Sequence, residues 1–191
     1  MRKTLFLFIL CGMVISCFAD KQADASNWYL TPSIGGIVTH NHLPFKGAYM
    51  VGYQAGFFFD ESRDGSLEMG LWYSEARSRY NDSTILAQAT LDVLHHFAPF
   101  EKLNPYLALG VTVLYSNTTI FNTYYKDKDD ARIDDQSRIA GGIRFGGGIF
   151  YNFSKSFSLR TGLCLTIANH NLCDDAASVF TTANTGVVWR F

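Results

Sequence analysis

The run Val187-Val188-Trp189-Arg190-Phe191 closes the chain, and its reading decides the fold. Strand side chains alternate, so Val187, Trp189 and Phe191 share one face. Arg190, Gly186 and Asn184 take the other. A strand that is greasy on one face and ends on an aromatic is unusual in a soluble domain.

Working back from that end, eight alternating segments appear, separated by polar or Gly/Asp/Asn punctuation. They are expected at about 28–38, 48–59, 66–80, 84–97, 105–116, 137–151, 157–167 and 177–191. In the second, Tyr49, Val51, Tyr53, Ala55, Phe57 and Phe59 oppose Met50, Gly52, Gln54, Gly56 and Phe58. In the fifth, Leu107, Leu109, Val111 and Val113 oppose Ala108, Gly110 and Thr112. Helical spacing fits none of these stretches as well.

The N-terminus reads as a secretory signal over residues 1–19, leaving one domain over 20–191. Arg2 and Lys3 precede a short apolar stretch, and Cys17-Phe18-Ala19 suits cleavage before Asp20. A competing reading takes Val14-Ile15-Ser16-Cys17 as a lipoprotein box with Cys17 lipidated. After the signal, 14 basic residues face 17 acidic ones, a net charge of −3. That balance does not favour nucleic acid as a partner. No later segment is long and apolar enough for a spanning helix. An exported chain of this kind is therefore soluble or crosses a membrane as a closed barrel.

Link lengths and faces favour the membrane. From a periplasmic start, the links at 60–65, 98–104 and 152–156 fall inside and are short. Those at 39–47, 81–83, 117–136 and 168–176 fall outside and include the longest, the asymmetry of outer-membrane barrels. The polar face carries Glu68, Asp92, Arg144 and Arg160, which a soluble barrel would have to bury without water. Aromatics also gather at strand ends, in two belts. Trp28, Phe57, Phe59, Phe97, Phe100, Phe153, Trp189 and Phe191 form one, and Tyr49, Tyr80, Tyr115 and Tyr124 the other.

Four segments carry a resemblance: Pro105-Tyr106-Leu107-Ala108-Leu109-Gly110-Val111, Phe145-Gly146-Gly147-Gly148-Ile149-Phe150-Tyr151-Asn152-Phe153, Ser156-Phe157-Ser158-Leu159-Arg160-Thr161-Gly162, and the closing strand. In order and spacing the chain resembles the OmpA-like outer-membrane β-barrel superfamily, over essentially the whole exported part. The resemblance implies an all-β, eight-stranded, antiparallel up-and-down transmembrane barrel in the outer membrane of a Gram-negative-type bacterium. It implies that Val187, Trp189 and Phe191 form the C-terminal signal read by the barrel assembly machinery. No peptidoglycan-binding domain is expected after the barrel. Outer-membrane lipid and lipopolysaccharide are the implied surroundings, and a monomer is expected.

An eight-stranded barrel leaves an interior that side chains can fill, which argues against a wide channel. Glu68 and Asp92 are expected to pair with Arg144 and Arg160 in a lumen charge network. No catalytic site, cofactor or metal is expected. The work of the protein would then be structural, adhesive or one of surface recognition, carried by outer loops. The alternatives are a narrow ion-conducting barrel and a lipid A acyltransferase built on His40 or His42 with Asp82 and Ser83. Charged inner residues argue against the acyl slot such an enzyme needs. Adjacent His95 and His96 point to opposite faces and cannot share an ion. The third outer loop is charged, with Lys126, Asp127, Lys128, Asp129, Asp130, Asp134 and Asp135 beside Tyr124 and Tyr125. Its bland reading is a solvated loop, and its functional one is a contact surface. One disulfide between Cys164 and Cys173 and two free thiols both fit an oxidising compartment. A hairpin turn near Ala168-Asn169 would set the two cysteines face to face.

Overall fold

The computed structural model describes residues 27–40, 47–77, 83–121, 133–169 and 178–191. Within them lie eight strands: β1 (Trp28–Thr39), β2 (Gly47–Phe58), β3 (Gly65–Arg77), β4 (Ser83–His96), β5 (Leu103–Phe121), β6 (Ile133–Asn152), β7 (Phe157–Ala168) and β8 (Ser178–Arg190). Each pairs antiparallel with its neighbours in sequence, and β1 pairs with β8 to close the barrel. Closure removes the sheet edges through the closed section, so each strand there has a neighbour on both flanks. The β1–β8 ladder is interrupted at Thr31-Pro32, where Pro32 has no N–H to give.

The faces follow the period-2 pattern. Outward stand Leu67, Met69, Leu71 and Tyr73 on β3, and Leu107, Leu109, Val111 and Val113 on β5, all exposed. A continuous apolar exterior of this kind is far larger than a soluble monomer tolerates. Inward stand the polar and small residues, with Thr31, Gln54, Glu68, Gln88, Thr112, Arg160 and Thr182 all buried. Glycines on β6 and β7 make room for the side chains that cross the interior. A Cβ on Gly162 would come within 2.3 Å of the Tyr106 hydroxyl.

The two ends of the barrel differ. At one end the links over 59–64, 97–102 and 153–156 are tight. Asp60 Oδ1 accepts hydrogen bonds from the Ser62 hydroxyl (2.7 Å) and the Arg63 N–H (3.1 Å). Arg63 adopts a left-handed φ of 57° and brings its guanidinium 5.5 Å from the Phe58 ring centroid. A non-glycine residue rarely takes that conformation, and here it folds the turn over the barrel mouth. Asn152 ties the same end together. Its amide donates to the Glu101 carbonyl (2.6 Å), and its oxygen accepts from Ser158 (2.6 Å) and Arg190 (3.0 Å).

Two expectations need correction. Strands β5 and β6 run further than the sequence reading placed them, pairing as far as Phe121 with Ile133. Asp134 and Asp135 therefore belong to a strand and not to the loop. Thr118, Thr119, Ile120 and Phe121 are β-branched or aromatic and favour strand. In water such a ribbon has no need of the apolar alternation used to find it. The second correction concerns Cys164. The chain does not turn at Ala168-Asn169, because β7 still pairs there, Ala168 with Ser178. Cys164 consequently stands opposite Thr182, buried, with a free thiol. Cys173 lies outside the described residues, as do the signal stretch, His42, Tyr80, Asp82, Tyr124, Tyr125 and residues 126–130.

Candidate functional site

The barrel interior is layered, and its middle layer is charged. Glu68 on β3 stands directly beside Asp92 on β4 in the sheet register. Two neighbouring buried carboxylates each require compensation. Glu68 receives an arginine from the opposite wall, and Asp92 receives one from the next strand but one. Arg160 of β7 makes a short ion pair with Glu68 Oε2, and Arg144 of β6 lies 3.3 Å from Asp92 Oδ1. All four side chains are at most 5% exposed.

The two pairs are not equivalent. Glu68 is saturated: Oε2 also accepts from the Tyr29 hydroxyl (3.0 Å), and Oε1 accepts from Gln54 Nε2 (2.9 Å). Gln54 Oε1 in turn accepts from Ser33 (3.0 Å). Arg160 donates from Nε to the Tyr106 hydroxyl (2.9 Å) and packs 4.8 Å from the Tyr106 ring and 5.3 Å from that of Phe150. Charge-assisted hydrogen bonds and cation–π contact strengthen this pair beyond bare attraction. Between Arg144 Nε and Asp92 Oδ1 there is attraction without a hydrogen bond. The cavity beside that looser pair, lined by Asp92, Tyr106, Arg144, Arg160 and Asn184, measures about 10 Å³, roughly the room of one water.

Apolar layers close the interior on either side. Towards the long-link end lie Ile37, Met50, Trp72, Leu86, Leu114 and Phe180. Towards the tight-turn end lie Tyr29, Phe58, Leu94, Tyr106, Phe150 and Val188. Below the charges a second polar string continues through Ser66 to His96 Nε2 (3.0 Å), and His96 Nδ1 meets Asn104 Nδ2 (3.2 Å). The charges thus lie between two apolar clusters.

The remaining residues singled out from sequence are dispersed. His95 faces outward against Phe97, with ring centroids 4.8 Å apart, while His96 faces inward. His40 bonds to Thr181 on β8 (2.7 Å), whereas Ser83 begins β4. Strands β2 and β3 stand between β1 and β4, while His42 and Asp82 lie outside the described residues. Val187, Trp189 and Phe191 lie on the outer face at the seam. Trp189 packs against Phe157 (5.8 Å), and the Phe191 N–H reaches the Trp28 carbonyl (3.3 Å). Trp28 with Phe57 (4.9 Å) and Tyr151 with Phe153 (4.8 Å) extend the same belt. Lys102 completes it, 5.2 Å from the Tyr151 ring, and its pKa is raised by the hydrogen bond to that tyrosine.

Sequence reasoning missed Tyr29, Gln54, Ser33, Tyr106 and His96 as members of the interior network. The signal was present in their parity, because each occupies an inward position of its strand. Parity does not give depth, and depth decides which neutral polar group meets which charge.

The family described as the outer membrane protein beta-barrel domain matches residues 7–191. Among solved structures, Neisserial surface protein A (NspA) superposes with a TM-score of 0.68 at 12% identity, covering 87% of this chain and 98% of that one. The N-terminal β-barrel domain of Pseudomonas aeruginosa OprF gives 0.56 at 20% identity, with coverage of 87% and 98%. Ail, the attachment invasion locus protein of Yersinia pestis, gives 0.54 at 13% identity, with coverage of 85% and 98%. At these identities the likeness is one of fold. No curated protein sequence matches.

Proposed function

The chain belongs to the outer membrane protein β-barrel family, and from that premise we propose that its interior is a structural plug and its outer end the working surface. It is an integral β-barrel of the outer membrane. The observation that carries the proposal is the sealed interior, with two ion pairs held between two apolar layers. An interior of this kind stiffens the wall and leaves no path for solute. The chemistry then falls to the outer links and to the β5–β6 ribbon, whose β6 flank rises beyond β7 while β4 follows β5 to Thr119. Recognition or adhesion at the cell surface is the role that such a rigid base supports. The apolar exterior meets lipid and lipopolysaccharide, and the seam strand with Val187, Trp189 and Phe191 serves the assembly machinery.

Two measurements test this reading. The refolded barrel in a planar bilayer should show no discrete conductance steps, and regular steps would overturn the plug. Replacing residues 119–135 by Asn-Gly shortens the ribbon to a tight hairpin turn. Proteoliposomes carrying the intact barrel should be retained on at least one of a panel of immobilised glycans, matrix proteins and lipopolysaccharides. Those carrying the shortened barrel should not. Equal retention of the two would remove the ribbon from the function.

A further inference from the structure

Strand β6 is paired with β5 along its whole length, but on its other flank β7 stops early. The last rung is Gly142 with Ala168, and Asn169 caps the ladder. Its N–H donates to the Gly141 carbonyl (2.9 Å), and its side-chain oxygen accepts from the Gly141 N–H (3.0 Å). Beyond that cap, Ile133–Ala140 has no strand on this flank among the described residues. In an antiparallel ladder, alternate residues aim both N–H and C=O at the same neighbour. Gly141 aims both at Asn169, so Ile139, Ser137, Asp135 and Ile133 aim theirs at the open flank. Among the described residues this edge is unpaired, and it holds no proline, glycine or lysine to blunt it.

The sequence of the edge is complementary to itself. Ile133-Asp134-Asp135-Gln136-Ser137-Arg138-Ile139 can be laid against a reversed copy centred on Gln136. Ile133 then stands opposite Ile139, Asp134 opposite Arg138, and Asp135 opposite Ser137. Both isoleucine pairs match, and both acids at 134 meet bases. The parity is right as well, since edge-facing residues pair with edge-facing residues. Sliding the copy by one ladder step in one direction sets Asp135 opposite Asp135 and Arg132 opposite Arg138. Sliding it the other way removes both Asp–Arg pairs. One register is therefore favoured, and it has two-fold symmetry, as an isologous contact requires.

Strand direction sets where the partner sits. Two barrels in one membrane both send β6 from the outside inward, so these strands run the same way. Antiparallel pairing needs the second copy inverted, as it is in a facing membrane. We propose that the Ile133–Ile139 edge of β6 is a homophilic docking strand that joins two copies of this chain between apposed outer membranes. The inference rests on the outward-facing ribbon of the function proposed above, and it replaces the expected monomer by a contact between copies in trans.

The test uses the full barrel in phospholipid vesicles, followed by light scattering, with heat-modifiability on a gel confirming that every variant folds. Wild-type vesicles should cluster. Asp134→Arg vesicles alone and Arg138→Asp vesicles alone should stay dispersed. Apparent association should fall about tenfold, as two cross-strand pairs turn from attraction to repulsion. An equal mixture of the two variants should cluster again, because each then meets its opposite charge. In a Cys173→Ser background, Gln136→Cys should give a disulfide-linked dimer on oxidation, and Ser137→Cys should not, since only residue 136 meets its own copy. Dispersed wild-type vesicles, clustering by either single variant, or a mixture that stays dispersed would each overturn the proposal. If retention on the immobilised panel still depended on the ribbon, this homophilic contact alone would have failed.

Discussion

Glu68 and Arg160 meet across the full width of the barrel, from β3 and β7, which stand on opposite walls of the eight-stranded ring. Removing one partner strands the other charge in a dry interior. Arg160→Met is expected to lower the unfolding free energy by about 3–5 kcal/mol in a urea titration of the refolded barrel. The double variant Glu68→Gln/Arg160→Met should lose less than the two single losses together. Arg144→Met should cost less than Arg160→Met, because its contact with Asp92 lacks a hydrogen bond. Equal losses for the two arginines would contradict the stated difference between the pairs.

Glycines in the β6 wall differ in what they face. A Cβ on Gly148 would lie 2.0 Å from the Thr161 carbonyl oxygen, and backbone cannot move aside cheaply. Gly141 has open space around the same atom. Gly148→Ala is expected to destabilise by about 1–3 kcal/mol. Gly141→Ala should stay within about 0.5 kcal/mol of the parent. The urea midpoints of the two variants give the comparison directly.

Cys164 is buried on the lumen side of β7 with its thiol free. In a Cys173→Ser background, a membrane-impermeant maleimide should leave the folded barrel unlabelled at this position and label it after boiling. Rapid labelling of the folded form would mean that the interior admits solutes of that size.

Phe191 contributes one backbone hydrogen bond to the seam and a side chain on the outer face. Phe191→Ala should therefore leave the stability of the refolded barrel within about 1 kcal/mol of the parent. Its yield in the outer membrane of cells should drop several-fold if the strand is read during assembly. Equal yields would confine Phe191 to a lipid contact.

The barrel was legible because its physics is repetitive. The period-2 alternation in Tyr49 to Phe59 or Leu107 to Val113 names both the element and its face. The four interior charges were legible because a charge on an otherwise small, polar face has few explanations. The plugs were not. Phe58, Trp72, Phe150 and Phe180 sit at inward positions, and parity gives their face but not the depth at which their rings meet. The ribbon of β5 and β6 was underread because Asn117, Thr118, Asp134 and Asp135 look like loop residues to any test built on apolar alternation. The turn expected near Ala168-Asn169 failed on a matter of register, since four further residues of β7 remain paired beyond Cys164.

The order in which the charges occur along the chain has its own consequence. Both acids, Glu68 and Asp92, belong to the first four strands, and both bases, Arg144 and Arg160, belong to the last four. A half-built wall holds two carboxylates with no counterion, and the other half holds two guanidinium groups in the same predicament. Neither portion is at ease in hydrocarbon alone, and each carries what the other lacks. A cut between β4 and β5 would part each acid from its base, a lock divided from its key.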